Sequence, residues 1–445
     1  MSVRFAVSRH SVRARKSMGG DSLLRNSGYL MLSAIVTSLL GAGYWVIAAR
    51  VFSAAEVGLA ATCISAVALV SSIALVGAQS TLVARLPSRE SDADWSCTVS
   101  TAFAITACTS LVGAGALVLI GLSATGSLSH IARSPVDDVL IISGVLGTSW
   151  MAIMDFVALA ERRAGTGLFR NFIFSLVKLP LLPALAFMSL TGIILSWMIG
   201  VWVGCVVGVW LFRRYGRRYR ATVAGLYHEF KSTRLVLAGN YAINLANTVP
   251  PLVLPVLVAL VKGAAPTAWF YLAWRVSSLF FMVSPTVAGA LYAEGTHDGP
   301  SLRRQAVRST KLIALLILPA MLVFFVFGRY ILGIFGAQYA HEALPLLWVL
   351  TASAIPDAIT NVYVSVLRVQ RRLRACIGLT GLMAFVTLAS AVPLLRTFGI
   401  FGGGVAWIAG QLAGSLWVGA DIVRRRRGLR SVARPRHARQ SLPRG

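Results

Sequence analysis

Four ionisable side chains fall inside long apolar stretches of this 445-residue sequence: Asp155, Lys178, Arg275 and Asp357. A charge at the centre of a bilayer costs on the order of 3 kcal/mol, so such groups pair with one another or face a water-filled cavity. Lys178 and Arg275 are the two cations of the set, and together they would attract an anionic group. Arg275 suits phosphate oxygens, because a planar guanidinium donates two parallel hydrogen bonds. Asp155 and Asp357 are acids that would carry a proton or a sodium ion during coupled transport. Each assignment has a structural alternative, Asp155 pairing with Arg162 or Arg163 and Lys178 snorkelling to the membrane surface.

A second polar pattern lies at Asn240, Asn244 and Asn247, spaced i, i+4 and i+7 on one helix face. Pro250-Pro251 and Pro255 follow. Prolines remove backbone donors and bend a helix, and a bent helix in a membrane is tolerated where protein or water satisfies its freed groups. The stripe therefore either lines a cavity beside a bend or hydrogen-bonds a neighbouring helix. Pro345, Pro356-Asp357 and Asn361 give a later segment the same character.

Patterns that would signal an enzyme are missing. His10, His130, His228, His297, His341 and His437 fall in loops or tails, none at ligand spacing, and no phosphate-binding glycine-rich loop is present. A membrane glycan polymerase or ligase would need acids on a sizeable external loop. The acids expected outside are Glu56, Asp137, Asp138 and Glu342, on short connections, and Asp137-Asp138 reads as a helix start. Cys63, Cys97, Cys108, Cys205 and Cys376 read as small packing residues. No cofactor is expected beyond a coupling proton or sodium ion.

The elements that must position these groups are membrane helices. The chain is 57% hydrophobic and 13% charged, with a mean hydropathy of +0.74. A hydrocarbon core about 30 Å thick needs roughly 20 apolar residues as helix. That rule places spans near 27–49, 57–79, 97–122, 137–160, 168–189, 191–212, 234–261, 265–292, 311–328, 343–367, 375–395 and 398–423, an all-α protein of about twelve transmembrane helices. Of the 42 Lys and Arg residues, 35 fall in every second gap, five in the alternate gaps (Arg50, Arg133, Lys262, Arg329, Arg396) and two inside spans. Basic residues stay on the cytoplasmic side, so both termini are expected there, in the cytoplasmic membrane of a bacterium. The net charge of +27 is dispersed over short loops, which points to anionic lipid headgroups as partners and away from nucleic acid. The first apolar run, about 23 residues, exceeds the roughly 7–15 of a signal peptide and reads as an uncleaved helix.

The expected organisation is a basic tail (1–26), a first lobe (27–212), a linker (213–233), a second lobe (234–423) and a disordered polybasic tail (424–445). Arg329 to His341 is expected to lie at the membrane surface, and residues 189–192 to form a tight helical hairpin. Gly192 with Gly399, and Gly28 with Gly239, recur 207 and 211 residues apart, and small residues four apart recur at Gly200, Gly204, Gly208 and at Gly410, Gly414. An even number of spans per half makes these parallel repeats around a central cavity.

Three stretches carry a resemblance: Asn26-Ser27-Gly28 through Ala49-Arg50-Val51-Phe52 and Ala55-Glu56-Val57-Gly58; Arg170-Asn171 followed by Lys178; and Ala268 through Trp274-Arg275 followed by Pro285. With them the chain resembles, over roughly residues 22–423, the polysaccharide-exporter branch of the multidrug/oligosaccharidyl-lipid/polysaccharide superfamily. The resemblance implies two six-helix lobes, alternating access, and a lipid-linked oligosaccharide as substrate, with glycan polymerase or assembly proteins as partners. It puts Arg275 and Lys178 where cavity-lining cations belong. Drug/cation antiporters of the same superfamily are the alternative, although they favour acidic cavities.

Overall fold

In a computed structural model, residues 29, 32–33, 35–89, 91–123, 134–215, 219–222, 238–295 and 302–432 are described. The expectations for residues 1–26, for 223–233 and for the tail beyond 432 lie outside them. The described elements are helices α1 (Ile35–Val51), α2 (Ala54–Ala74), α3 (Ala78–Arg85), α4 (Asp92–Ser123), α5 (Pro135–Ala160), α6 (Ala164–Ala184), α7 (Ser189–Leu211), α8 (Ala238–Lys262), α9 (Ala264–Gly295), α10 (Leu302–Gly333), α11 (Ala337–Glu342), α12 (Leu344–Ala352), α13 (Ala354–Val369), α14 (Leu373–Phe398) and α15 (Ile400–Val432), with short 3-10 turns between some of them. Nine spans among the described residues are long and apolar enough to cross a membrane, α12 and α13 counting together as one. Helices α1, α9 and α15 fall outside the nine. Val112, Leu315, Phe385 and Leu416 are exposed on the outer surface, as a lipid-facing wall requires.

Local sequence sets the helix ends. Ser53 caps α2: its hydroxyl accepts from the Glu56 backbone N–H, and the Glu56 carboxylate accepts from the Ser53 N–H at 2.9 Å, two end donors satisfied reciprocally. Ser134 caps α5 at the Asp137 N–H, with Pro135 at the first helical position, so Asp137-Asp138 does begin a helix. The hairpin at residues 189–192 is present. A Cβ on Gly192 would lie 2.1 Å from the Leu185 carbonyl oxygen, so only glycine lets the two helices turn this tightly. The α14–α15 hairpin repeats the device, with a Gly402 Cβ 1.9 Å from the Leu394 carbonyl oxygen. The loop after α5 turns at Arg162 (φ 54°) and the loop after α13 turns at Arg371 (φ 56°), a second feature shared by the two halves.

Several expectations are corrected. Arg329 to His341 is in part built into the fold: α10 runs on to Gly333, and Phe335 and Tyr339 are buried where the two halves meet, while Tyr330 and Ile334 stay exposed. The segment is aromatic because it seals a seam. The tail is helical as far as Val432, and Arg425 donates to Asp421 one turn earlier at 2.9 Å. Helix α8 continues as one helix through Pro250, Pro251 and Pro255, which contribute no backbone donors. The break falls instead at Ser353, between α12 and α13. Helix α3, which follows the left-handed Gly77, was not expected.

Helices α2 and α4 to α7 pack on one another, as do α8 to α10 and α12 to α15, and the halves meet chiefly through α2 against α8 and α9. At the end of the bundle poor in basic residues this seam is tight. A Cβ on Gly58 would lie 1.8 Å from the Ala264 carbonyl oxygen. Arg50, closing α1, donates to the carbonyls of Gly333 (3.2 Å) and Ile334 (2.8 Å), where α10 ends. At the opposite end Arg372 and Arg425 converge on Asp421, and Trp95 donates to Glu161 at 2.7 Å. Across the halves at that end, Tyr241 donates its hydroxyl to the Ile73 carbonyl.

Candidate transport cavity

Lys178 lies fourteen residues into α6, about 21 Å along the helix, and Arg275 lies eleven residues into α9 from the opposite face, about 16 Å. Both sit inside their helices, Lys178 about 9 Å from the far end of α6, and both line one cavity of about 390 Å³ between the halves, with Gly41, Trp45, Tyr271 and Trp274. Lys178 does not snorkel. It is 6% exposed, and its ammonium lies 4.2 Å from the centre of the Phe174 ring and 5.0 Å from that of Tyr44, a cation–π cradle. Tyr44 is held in turn by its hydroxyl, which donates to the Ile193 carbonyl at 3.0 Å. The Arg275 guanidinium is open to the cavity and reaches back to within 3.2 Å of the Cβ position of Gly41 on α1, so a side chain there would crowd it. Among the described residues neither cation has a carboxylate within ion-pair distance.

Asp155 meets a different fate. Its partner is neither Arg162 nor Arg163 but Arg170, whose guanidinium is 2.6 Å from the carboxylate and only 2% exposed. Arg170 also donates to the Met151 carbonyl (2.9 Å) and to Asn171 (2.8 Å), and Asn171 returns to Asp155 at 3.3 Å. This network ties α5 to α6. The Asp155 carboxylate keeps 46% of its side chain exposed, towards a second cavity of about 390 Å³ that also contains Met282.

The second half holds a third cavity, of about 500 Å³, lined by Asn244, Asn247, Trp274, Asp357, Trp407 and Gln411 among others. Asn244 and Asn247 thus face this cavity, whereas the side chain of Asn240 lies outside the described residues. Asp357 is 6% exposed, and its Oδ2 makes no well-formed hydrogen bond. Arg368, eleven residues further along α13, borders the same cavity about 16 Å away along the helix. Trp274 and Pro251 border both the first and third cavities, Thr37 the first and second, and Met282 the second and third, so the three are branches of one interior. Among the described residues no group of three acids, histidines or cysteines could hold a metal ion.

Lys178 and Arg275, singled out in the sequence, thus line one cavity, while the residues that surround them there were not singled out. Tyr44, Phe174, Trp274 and Trp407 are aromatic residues in apolar helices, and nothing in their spacing separates a cradle from ordinary packing. Arg170 was legible as part of a motif but not as a buried ion-pair partner.

No family model matches the chain, and no curated protein matches it in sequence. Solved structures do. An inward-facing multidrug resistance MATE family transporter of the MOP superfamily shares 15% identity over 90% of this chain and 96% of its own, at a TM-score of 0.66. The lipid II flippase MurJ, in an inward closed conformation, shares 13% identity over 88% of this chain and 87% of its own, at a TM-score of 0.68. A MOP superfamily transporter from Pyrococcus furiosus, described as having a binding pocket of reverse polarity, shares 16% over 91% and 95%, at 0.58. Likeness at these identities establishes the fold. The chain is a multi-pass membrane protein with the helical fold of MOP superfamily transporters.

Proposed function

We propose that the protein is a flippase for a polyprenyl-pyrophosphate-linked oligosaccharide, a precursor of a cell-surface polysaccharide. The observation that carries this reading is the pair Lys178 and Arg275, two cations in one cavity with no carboxylate within ion-pair distance among the described residues. Two like charges held together in a membrane repel each other unless an anion joins them. A pyrophosphate has the charge for both and matches the guanidinium fork. The polyprenyl tail stays in the bilayer, and the polar headgroup crosses inside the protein.

Twelve helices in two six-helix lobes complete the reading, with both termini and the basic-rich end in the cytoplasm of a bacterial cell. The seal of Arg50, Gly58, Phe335 and Tyr339 then lies outside, and the cavities face inward. Rocking of the lobes about the cavity alternates access. Anionic headgroups hold the basic loops, and glycan-assembly proteins receive the product outside. A second reading, an ion-coupled exporter of small amphipathic compounds, is favoured by one feature: Asp155 is half-exposed to a cavity, where a carboxylate can exchange a proton or sodium ion. Depletion of the protein distinguishes the two. The flippase reading expects a lipid-linked oligosaccharide to accumulate in the cytoplasmic leaflet, read by mass spectrometry of extracted lipids. An unchanged lipid profile with raised drug sensitivity selects the exporter.

A further inference from the structure

We infer that the cavity of the second half is a sugar-recognition chamber, which takes the sugar next to the pyrophosphate while Lys178 and Arg275 hold the phosphates. This assignment rests on the flippase reading and adds to it where the glycan binds and which residues choose it. Three observations support it. First, the chamber adjoins the cationic cavity directly: Trp274 and Pro251 border both. A headgroup anchored at Arg275 therefore has its next unit at the chamber's entrance.

Second, the chamber's chemistry differs from that of an ion site and from that of a drug pocket. Asn244, Asn247 and Gln411 supply amides that both donate and accept, the match for hydroxyls that do the same. Trp274 and Trp407 meet edge to face at 4.8 Å and form a rigid aromatic wall. A metal ion would need converging oxygens and several acids, whereas Asp357 is the one carboxylate among the lining residues. Third, Nε1 of Trp407 is buried without a partner, and Oδ2 of Asp357, on a side chain 6% exposed, makes no well-formed hydrogen bond although the side chains of Ser284 and Asn361 lie near the carboxylate. One is a donor and the other an acceptor, and buried groups of this kind cost stability unless a ligand or water satisfies them. A sugar hydroxyl can accept from the indole and another can donate to the carboxylate. The cavity volume of about 500 Å³ exceeds what one hexose needs.

The test uses the purified full chain in lipid nanodiscs. Its binding is measured to a bare polyprenyl pyrophosphate and to the same lipid carrying one glucose, galactose or N-acetylglucosamine. At least one sugar-bearing form should bind about tenfold more tightly than the bare lipid, a difference of about 1.4 kcal/mol. Asp357→Asn and Gln411→Met should each erase that preference while the bare lipid still binds. Trp407→Phe, which keeps the packing and removes only the indole donor, should weaken it roughly threefold. A preference that survives all three variants overturns the assignment. It also falls if Asp357→Asn removes a sodium or pH dependence of transport and leaves sugar preference intact. Wild-type protein that binds all four lipids equally defeats the sugar chamber and leaves the flippase standing. Wild-type protein that binds none of them defeats both.

Discussion

The two chambers that meet at Trp274 hold their charges in opposite ways. On one side stand Lys178 and Arg275, with no carboxylate beside them among the described residues; on the other stands Asp357, deep among amides, with Arg368 well removed along the same helix. Away from these two chambers stand charges that are paired: Arg170 with Asp155, and Asp421 with Arg372, Arg425 and the hydroxyl of Tyr363. The paired groups tie helices together. The unpaired ones are kept at a stability cost inside a membrane, and such a cost persists where the site has a ligand to bind. Stability and transport should therefore respond in opposite directions at the two kinds of charge.

The largest effect is expected at the seam that keeps both chambers open to one side. Gly58→Leu would drive a side chain into the Ala264 carbonyl, already 1.8 Å from a bare Cβ. The sealed state should lose on the order of 3 kcal/mol, enough to shift the conformational balance about a hundredfold. Spin-label distances across the Arg50–Ile334 contact should lengthen, and transport should collapse. Unchanged distances would mean the seam is no gate.

Next come the paired and unpaired charges themselves. Asp155→Ala strips the counter-ion from a guanidinium only 2% exposed and should lower stability by about 3 kcal/mol, read as a fall in thermal midpoint. Lys178→Met removes an unpaired buried charge, keeps the apolar contacts with Tyr44 and Phe174, and should raise stability by about 1 kcal/mol while abolishing substrate binding. A fall in stability there would erase the distinction between the two kinds of charge. The smallest effect belongs to Asp421→Asn. Its partners Arg372 and Arg425 are over one-third exposed, so the midpoint should move by no more than about 1 kcal/mol allows.

Much of this arrangement was legible in the sequence. The apolar runs gave the helices, and the rarity of charge within them picked out Lys178, Arg275, Asp155 and Asp357. Gly192 marked one hairpin, because its tight turn admits no side chain, and Gly399 the other, because its φ of 62° favours glycine. What stayed hidden depends on long-range contact. Arg50 reads as the end of a helix until Gly333 and Ile334, nearly 300 residues on, present their carbonyls to it. The segment around Phe335 and Tyr339 has the composition of a membrane surface and becomes a seal only because the other half packs on it. The prolines of α8 lie within one continuous helix, while the segment with Pro345 and Pro356, expected to share their character, is the one that breaks, at Ser353. Asp155 was given the nearest basic residues in sequence; helix geometry gave it Arg170 on the adjoining helix.

The most direct test of the account is movement of a polyprenyl-pyrophosphate-linked oligosaccharide across proteoliposomes containing the wild-type chain or the double variant Lys178→Gln/Arg275→Gln. The account predicts rapid transfer by the wild type and a loss of about a hundredfold or more in the variant, equivalent to about 2.7 kcal/mol or more of lost anion binding, with the protein folded and inserted at normal level. Equal transfer by the two proteins would contradict it.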